Sequence, residues 1–130
     1  MHQLLQPPGW PRPKGYANGI AASGRLVFTA GVVGWNAEER FEHDDLAGQF
    51  RQVLLNTRAI LAEGGAEPAH IVRMTCYVTD KREYVDAQVA IGAAWREVFG
   101  KVFPCMAVIE VSGLVEDAAK VEIETTAVVP

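Results

Sequence analysis

Carboxylates gather in two stretches of this chain, and each suggests a different chemistry. Near the C-terminus, Glu122, Glu124 and Thr126 alternate with Val121, Ile123 and Thr125, so a strand there turns both carboxylates to one face and its apolar residues to the other. Glu110 lies on the neighbouring β-rich run. Such glutamates are usually solvated, but on a sheet face with no covering layer they can line a polar cleft or interface. Earlier, Glu38, Glu39, Glu42, His43, Asp44 and Asp45 bring together ligand types suited to a hard or borderline cation. Their spacing matches no ligand set, and an acidic loop entering a helix is stabilised by the helix dipole. No metal is expected there.

Nucleophiles are scarce. His2 and His70 have no neighbouring Ser or Cys that reads as their partner. Cys76 and Cys105 sit inside strand-like runs without metal or disulfide spacing, as reduced core residues do. The glycine-rich stretches Gly15-Tyr16-Ala17-Asn18-Gly19 and Thr29-Ala30-Gly31-Val32-Val33-Gly34 lack the following helix start of a phosphate loop. Turns explain them, with Gly31 also able to admit a ligand close to the backbone. Of the three tryptophans, Trp95 falls on an apolar helical stripe, whereas Trp35 in a loop is the better ligand contact.

The elements that must position these residues follow from periodicity. Pro7, Pro8, Pro11 and Pro13 make residues 1–14 an arm that can hold neither a helix nor a central strand. Gly19–Ala22 and Leu26–Val32, separated by Ser23-Gly24, read as a hairpin. Leu46, Phe50, Val53, Leu54, Thr57, Ile60 and Leu61 recur at helical spacing, with Asp44 or Asp45 as N-cap and Gly64-Gly65 as stop. Ile71–Thr79 alternates as a strand with Val72, Met74, Cys76 and Val78 on one face. Asp80 with Glu83 resembles a capping box that opens a second helix to Gly100, carrying Tyr84, Ala87, Ile91, Ala94, Trp95 and Val98. Strands over Pro104–Val111 and Lys120–Val129 complete a β-β-α-β-α-β-β order. Two helices cannot cover both faces of about five strands, so one face must meet water or another subunit.

With 130 residues, 49% hydrophobic and 22% charged, the chain reads as a single domain over 1–130 with one core. A net charge of −4 without a basic run argues against nucleic acid as a partner. Neither a secretion signal nor an apolar run of roughly 20 residues is seen, so no membrane association and a cytoplasmic location are expected.

Five segments in order resemble one family from about Lys14 onward: Gly15-Tyr16, Phe28-Thr29-Ala30-Gly31, Cys76-Tyr77-Val78-Thr79-Asp80, Phe103-Pro104, and Val121-Glu122-Ile123-Glu124 followed by Ala127. In these the chain is similar to the RidA/YjgF family, also called the L-PSP endoribonuclease family. The resemblance implies an α+β, chorismate-mutase-like fold of five to six strands with two helices on one face. It implies a homotrimer with a small-molecule cleft at each subunit interface and, without metal or cofactor, hydrolysis of imines and enamines to 2-keto acids and ammonia.

By the same resemblance Glu122 positions or deprotonates the attacking water, and Tyr16 with the backbone near Gly31 holds the ligand. The family's arginine, two residues after the proline, would clamp a carboxylate through parallel donors. Met106 stands there instead. Ala30 replaces a usual serine, Val108 a usual cysteine and Gly92 a usual asparagine. A cleft of Met106, Val108, Ala30, Gly31, Gly92 and Trp35 should favour a more apolar ligand. The alternative from another class is a binding or sensing trimer without the reaction. Endoribonuclease activity is disfavoured by the acidic balance.

Overall fold

In the computed structural model, which describes residues 2–130, the longest helix lies where the apolar spacing places it. Helix α1 spans Leu46–Glu63, opened by the Asp45 carboxylate, which accepts a hydrogen bond from the Gly48 amide, and closed at Gly64. Gly65 follows with φ of 73°, a conformation that suits glycine. Its stripe of Leu46, Phe50, Val53, Leu54, Thr57 and Leu61 is buried. Ile60, expected on the same stripe, is instead exposed.

That stripe packs on a five-stranded sheet. Strands β3 (Arg25–Phe28), β7 (Val121–Val129), β5 (Ile71–Val78) and β6 (Cys105–Glu110) lie in this spatial order, and β4 (Val32–Val33) pairs with β7 beyond the end of β3. Only β5 and β6 run parallel, as the helical crossover between them requires. Met74, Cys76 and Val78 of β5 and Val121, Ile123 and Ala127 of β7 meet α1 in one buried cluster. Each large side chain there stabilises the fold by about 1.5–3 kcal/mol relative to exposure. Gln49 is the polar exception: its amide donates to the carbonyls of His43 and Ala118, and its Oε1 accepts from the Lys120 amide. One buried side chain thus ties α1 to the segment that enters β7.

Several expectations need correction. The stretch 19–32 is not a hairpin: β2 (Gly19–Ala21) pairs with β1 (Gln3–Leu5) from the N-terminal arm, and β3 pairs with β7. The prolines begin only after β1, which is free to form a two-stranded edge ribbon. The run Leu26–Val32 is interrupted at Thr29–Gly31, where the Thr29 hydroxyl accepts from the Thr125 amide. The helix expected from Asp80 to Gly100 is two pieces, α2 (Lys81–Asp86) and α3 (Gln88–Val98), broken at Ala87 with φ −93° and ψ 6°. Asp80 caps α2, but Glu83 turns to Lys120 Nζ rather than back to the cap. A bulge at the start of β5 sends Ile71, not Val72, into the core.

Both helical rods lie on one face of the sheet, which leaves the other without a covering layer in the chain. On that face stand Glu122, Glu124 and Thr126 of β7, Arg73, Thr75 and Tyr77 of β5, Ile109 of β6, and Leu26 and Phe28 of β3. Phe28 is 64% exposed, Leu26 57% and Ile109 45%. Glu110 is not among them: it lies beside Val78 on the helical side, where its Oε2 accepts from the Lys81 amide at the start of α2.

Candidate functional site

Strand register and a missing side chain together set the position of Glu122. Glu122 lies opposite Val33 of β4 and Tyr77 of β5, and its carboxylate lies over Gly31 in the break between β3 and β4. A β-carbon on Gly31 would stand 2.8 Å from Glu122 Cδ and collide with Oε2. Any larger residue there would displace the carboxylate from this seat. On the same face the Tyr77 hydroxyl donates to Glu124 Oε1 at 2.9 Å. That bond, then partial desolvation and the charges of Glu124 and Glu122, raise the Tyr77 hydroxyl above its ordinary pKa. The face therefore carries two carboxylates, that of Glu124 engaged by a phenol and that of Glu122 seated over Gly31.

Beside Glu122 the chain edge forms a shallow hollow of about 400 Å³ that includes Ala30, Gly31, Trp35 and Ile60. Asn56 of α1 holds its wall by donating to the carbonyls of Val33 and Trp35. The exposed Ile60 finds its role here, as a wall of this hollow. Trp35 also packs on Phe41, with ring centroids 5.8 Å apart.

A second hollow, about 450 Å³, opens on the helical side between α3 and the edge strand β6. Met106 forms part of its floor beside Tyr84, Gly92, Trp95 and Phe103. Trp95 is fixed there because its indole donates to the Val102 carbonyl at 2.9 Å and its ring meets Phe99 edge to face. Tyr16 is near but separate, in a hollow with Leu4, Leu5 and Trp10 that shares Gly15 and Phe103 with the Met106 pocket. The Ala17 amide donates to the Pro104 carbonyl, which ties the Tyr16 segment to the start of β6.

The matching family model, described as Endoribonuclease L-PSP, covers residues 11–129. The chain is 31% identical over 113 residues to 2-iminobutanoate/2-iminopropanoate deaminase of Escherichia coli K12, which spans 87% of this chain and 86% of that protein. This chain belongs to the RidA/YjgF family. Among solved structures, the Rid-family protein YyfB of Yersinia pestis is 30% identical with a TM-score of 0.85, covering 98% of both chains. The YjgF gene product of Escherichia coli is also 30% identical, with a TM-score of 0.73 over 88% of each.

Within a single RidA/YjgF chain the residues singled out from the sequence fall into two groups. Glu122, Gly31, Ala30 and Trp35 lie around the sheet's break, whereas Met106, Gly92 and, nearby, Tyr16 lie along β6 and α3. Met106 pairs with Met74 and so faces the helices, the opposite side from Glu122. Val108 is partly exposed on the same edge strand. No single cleft of one chain holds all of them. The sequence placed Tyr84 only on an apolar helical stripe and did not single out Arg96, yet both line the Met106 hollow; for Arg96 the four-residue interval from Gly92, one helical turn, was the available signal.

The two cysteines differ: Cys105, expected in the core, is instead half-buried opposite Arg73 on the uncovered face. Cys76 is fully buried, and burial pushes its thiol up to about 12, so it stays protonated. Among the described residues, no three of His, Cys, Asp and Glu stand together as a metal would require. No helix is long and apolar enough to cross a membrane.

Proposed function

We propose that three copies of this chain close their uncovered sheet faces on one another, and that the seams so formed hydrolyse small imines or enamines. The exposed Phe28, Leu26 and Ile109 beside Glu122 and Glu124 support an interface there. Assembly is also the way to complete a site whose halves lie on different faces of one chain: the Glu122 half of one copy would meet the β6–α3 edge of the next.

The reaction adds water across C=N and expels ammonia, leaving a carbonyl compound. Glu122 accepts a proton from the attacking water as the water oxygen bonds to the imine carbon, and returns it to the nitrogen to give a carbinolamine. The carbinolamine hydroxyl then gives up its proton, which passes to the same nitrogen as the C–N bond breaks, so that ammonia leaves and C=O remains. The observation that carries this reading is the seating of the Glu122 carboxylate against Gly31, a place that a side chain would fill. The relatives named as 2-iminobutanoate/2-iminopropanoate deaminases support the same reaction class. Met106 favours a second reading, a trimer that binds such ligands without converting them, because a thioether provides neither charge nor donor to a carboxylate.

Ammonia release from freshly generated 2-iminobutanoate separates the two. Catalysis predicts turnover by the natural chain that falls at least about 100-fold in Glu122→Gln, in line with the worth of a positioned base. An inert parent from which Met106→Arg gains turnover supports the binding reading.

A further inference from the structure

The hollow between α3 and β6 carries a charge pattern that the family resemblance does not supply. Its inner wall is apolar and mostly aromatic: Tyr84, Trp95, Phe103 and Met106. Its mouth carries three cations, Lys14, Arg96 and Lys101, and no carboxylate is among its lining residues although the whole chain is acidic. Among the described residues the ion pairs are Arg51–Glu97 and Lys120–Glu83, so these three cations have no partner.

Arg96 is placed by its neighbour one turn earlier. Its Nη1 lies 3.4 Å from where a β-carbon on Gly92 would stand, so the guanidinium folds back over a bare patch of α3 and toward the hollow. Any side chain longer than alanine at position 92 would compete for that space. The indole beside it is locked by its bond to Val102. A rigid aromatic wall with an unpaired guanidinium at its edge suits a ligand with a flat apolar end and an anionic end, and about 450 Å³ is within the range of small-molecule sites.

We propose that this hollow binds amphipathic carboxylates, holding an aryl or branched alkyl group against Trp95, Tyr84 and Met106 and the carboxylate on Arg96. This rests on the reading that the β6–α3 edge belongs to the ligand cleft, and it names the substrate class there: imines of bulky apolar 2-keto acids rather than the smallest ones. Gly92 and Met106 then act together, the one making room for the guanidinium and the other adding apolar surface.

The test uses stable probes and the full chain, with binding followed by calorimetry. The parent should bind 3-phenylpropanoate at least about tenfold more tightly than propanoate. Arg96→Gln should weaken 3-phenylpropanoate at least about tenfold, in keeping with a lost charge-assisted bond, yet leave neutral 3-phenylpropan-1-ol within about twofold. Gly92→Asn should reproduce that selective loss. The proposal is overturned if the parent does not bind 3-phenylpropanoate, if Arg96→Gln binds it as the parent does, or if acid and alcohol weaken equally. Turnover of 2-iminobutanoate with no effect of Arg96→Gln on 3-phenylpropanoate keeps the deaminase reading and removes this one. Arg96-dependent binding by a chain inert toward every imine does the reverse.

Discussion

Gly31→Ala offers a clean probe of the link between the strand break and the Glu122 carboxylate. Gly31 has no positive φ, so alanine is tolerated by the backbone and the effect is steric. The new methyl would stand 2.8 Å from Glu122 Cδ and 3.2 Å from Cγ, where carbon atoms prefer about 3.5–4.0 Å. The carboxylate must therefore swing away by about 1 Å. Glu122 is half-buried and has room to turn, so the cost is that of a strained rotamer, about 0.5–1.5 kcal/mol. For a domain of this size that lowers Tm by about 2–6 °C. A misplacement of about 1 Å at a reacting group lowers turnover about 100-fold. Paired with Glu122→Ala in a double-mutant cycle, Gly31→Ala should lose most of its thermal cost, because the group it displaces is gone. An equal loss of Tm in both backgrounds, or unchanged turnover in an active parent, would refute the contact as the cause.

Three other outcomes are expected. Gln49→Leu should destabilise by about 2–4 kcal/mol in chemical denaturation, since the Lys120 amide and the His43 and Ala118 carbonyls lose their shared buried partner. A disulfide reagent at pH 8 should leave Cys76 unmodified in the folded protein, its thiol being raised to about 12, and react with it only after denaturation. Because Cys76 titrates at about 8.5 when unfolded, its contribution to stability is whole below that pH and is lost as pH climbs toward 12. Tyr84, raised by burial and then by Cys76, has the same sign at higher pH, so the urea midpoint should be lower at pH 10 than at pH 8.

Local pattern was enough for some of this architecture. Asp45, the apolar spacing through Leu61 and Gly64-Gly65 mark both ends of α1, and the alternation through Val121–Thr126 separates the core face from the carboxylate face. What escaped was set by distant partners. Strand β2 has no local reason to choose β1 over β3, since the choice depends on β3 fitting the edge of β7. The Thr29–Gly31 break depends on a hydroxyl substituting for a backbone acceptor beside Thr125. Glu110 looked like a companion of Glu122 until the parallel register with β5 put it on the other face. Glu122 and Gly31, both named as candidates from the sequence, do stand against each other. The position of Met106 opposite them, and the fold of Arg96 over Gly92, depend on packing between elements that no spacing records.

The seam between copies underlies every functional statement about Glu122, and the mass of the particle in dilute solution tests it most directly. Sedimentation equilibrium at micromolar concentration should give three times the 14.1 kDa of one chain. A single species at the mass of one chain would contradict it, leaving Phe28, Leu26 and Glu122 facing water and the two halves of the site with nothing to join them.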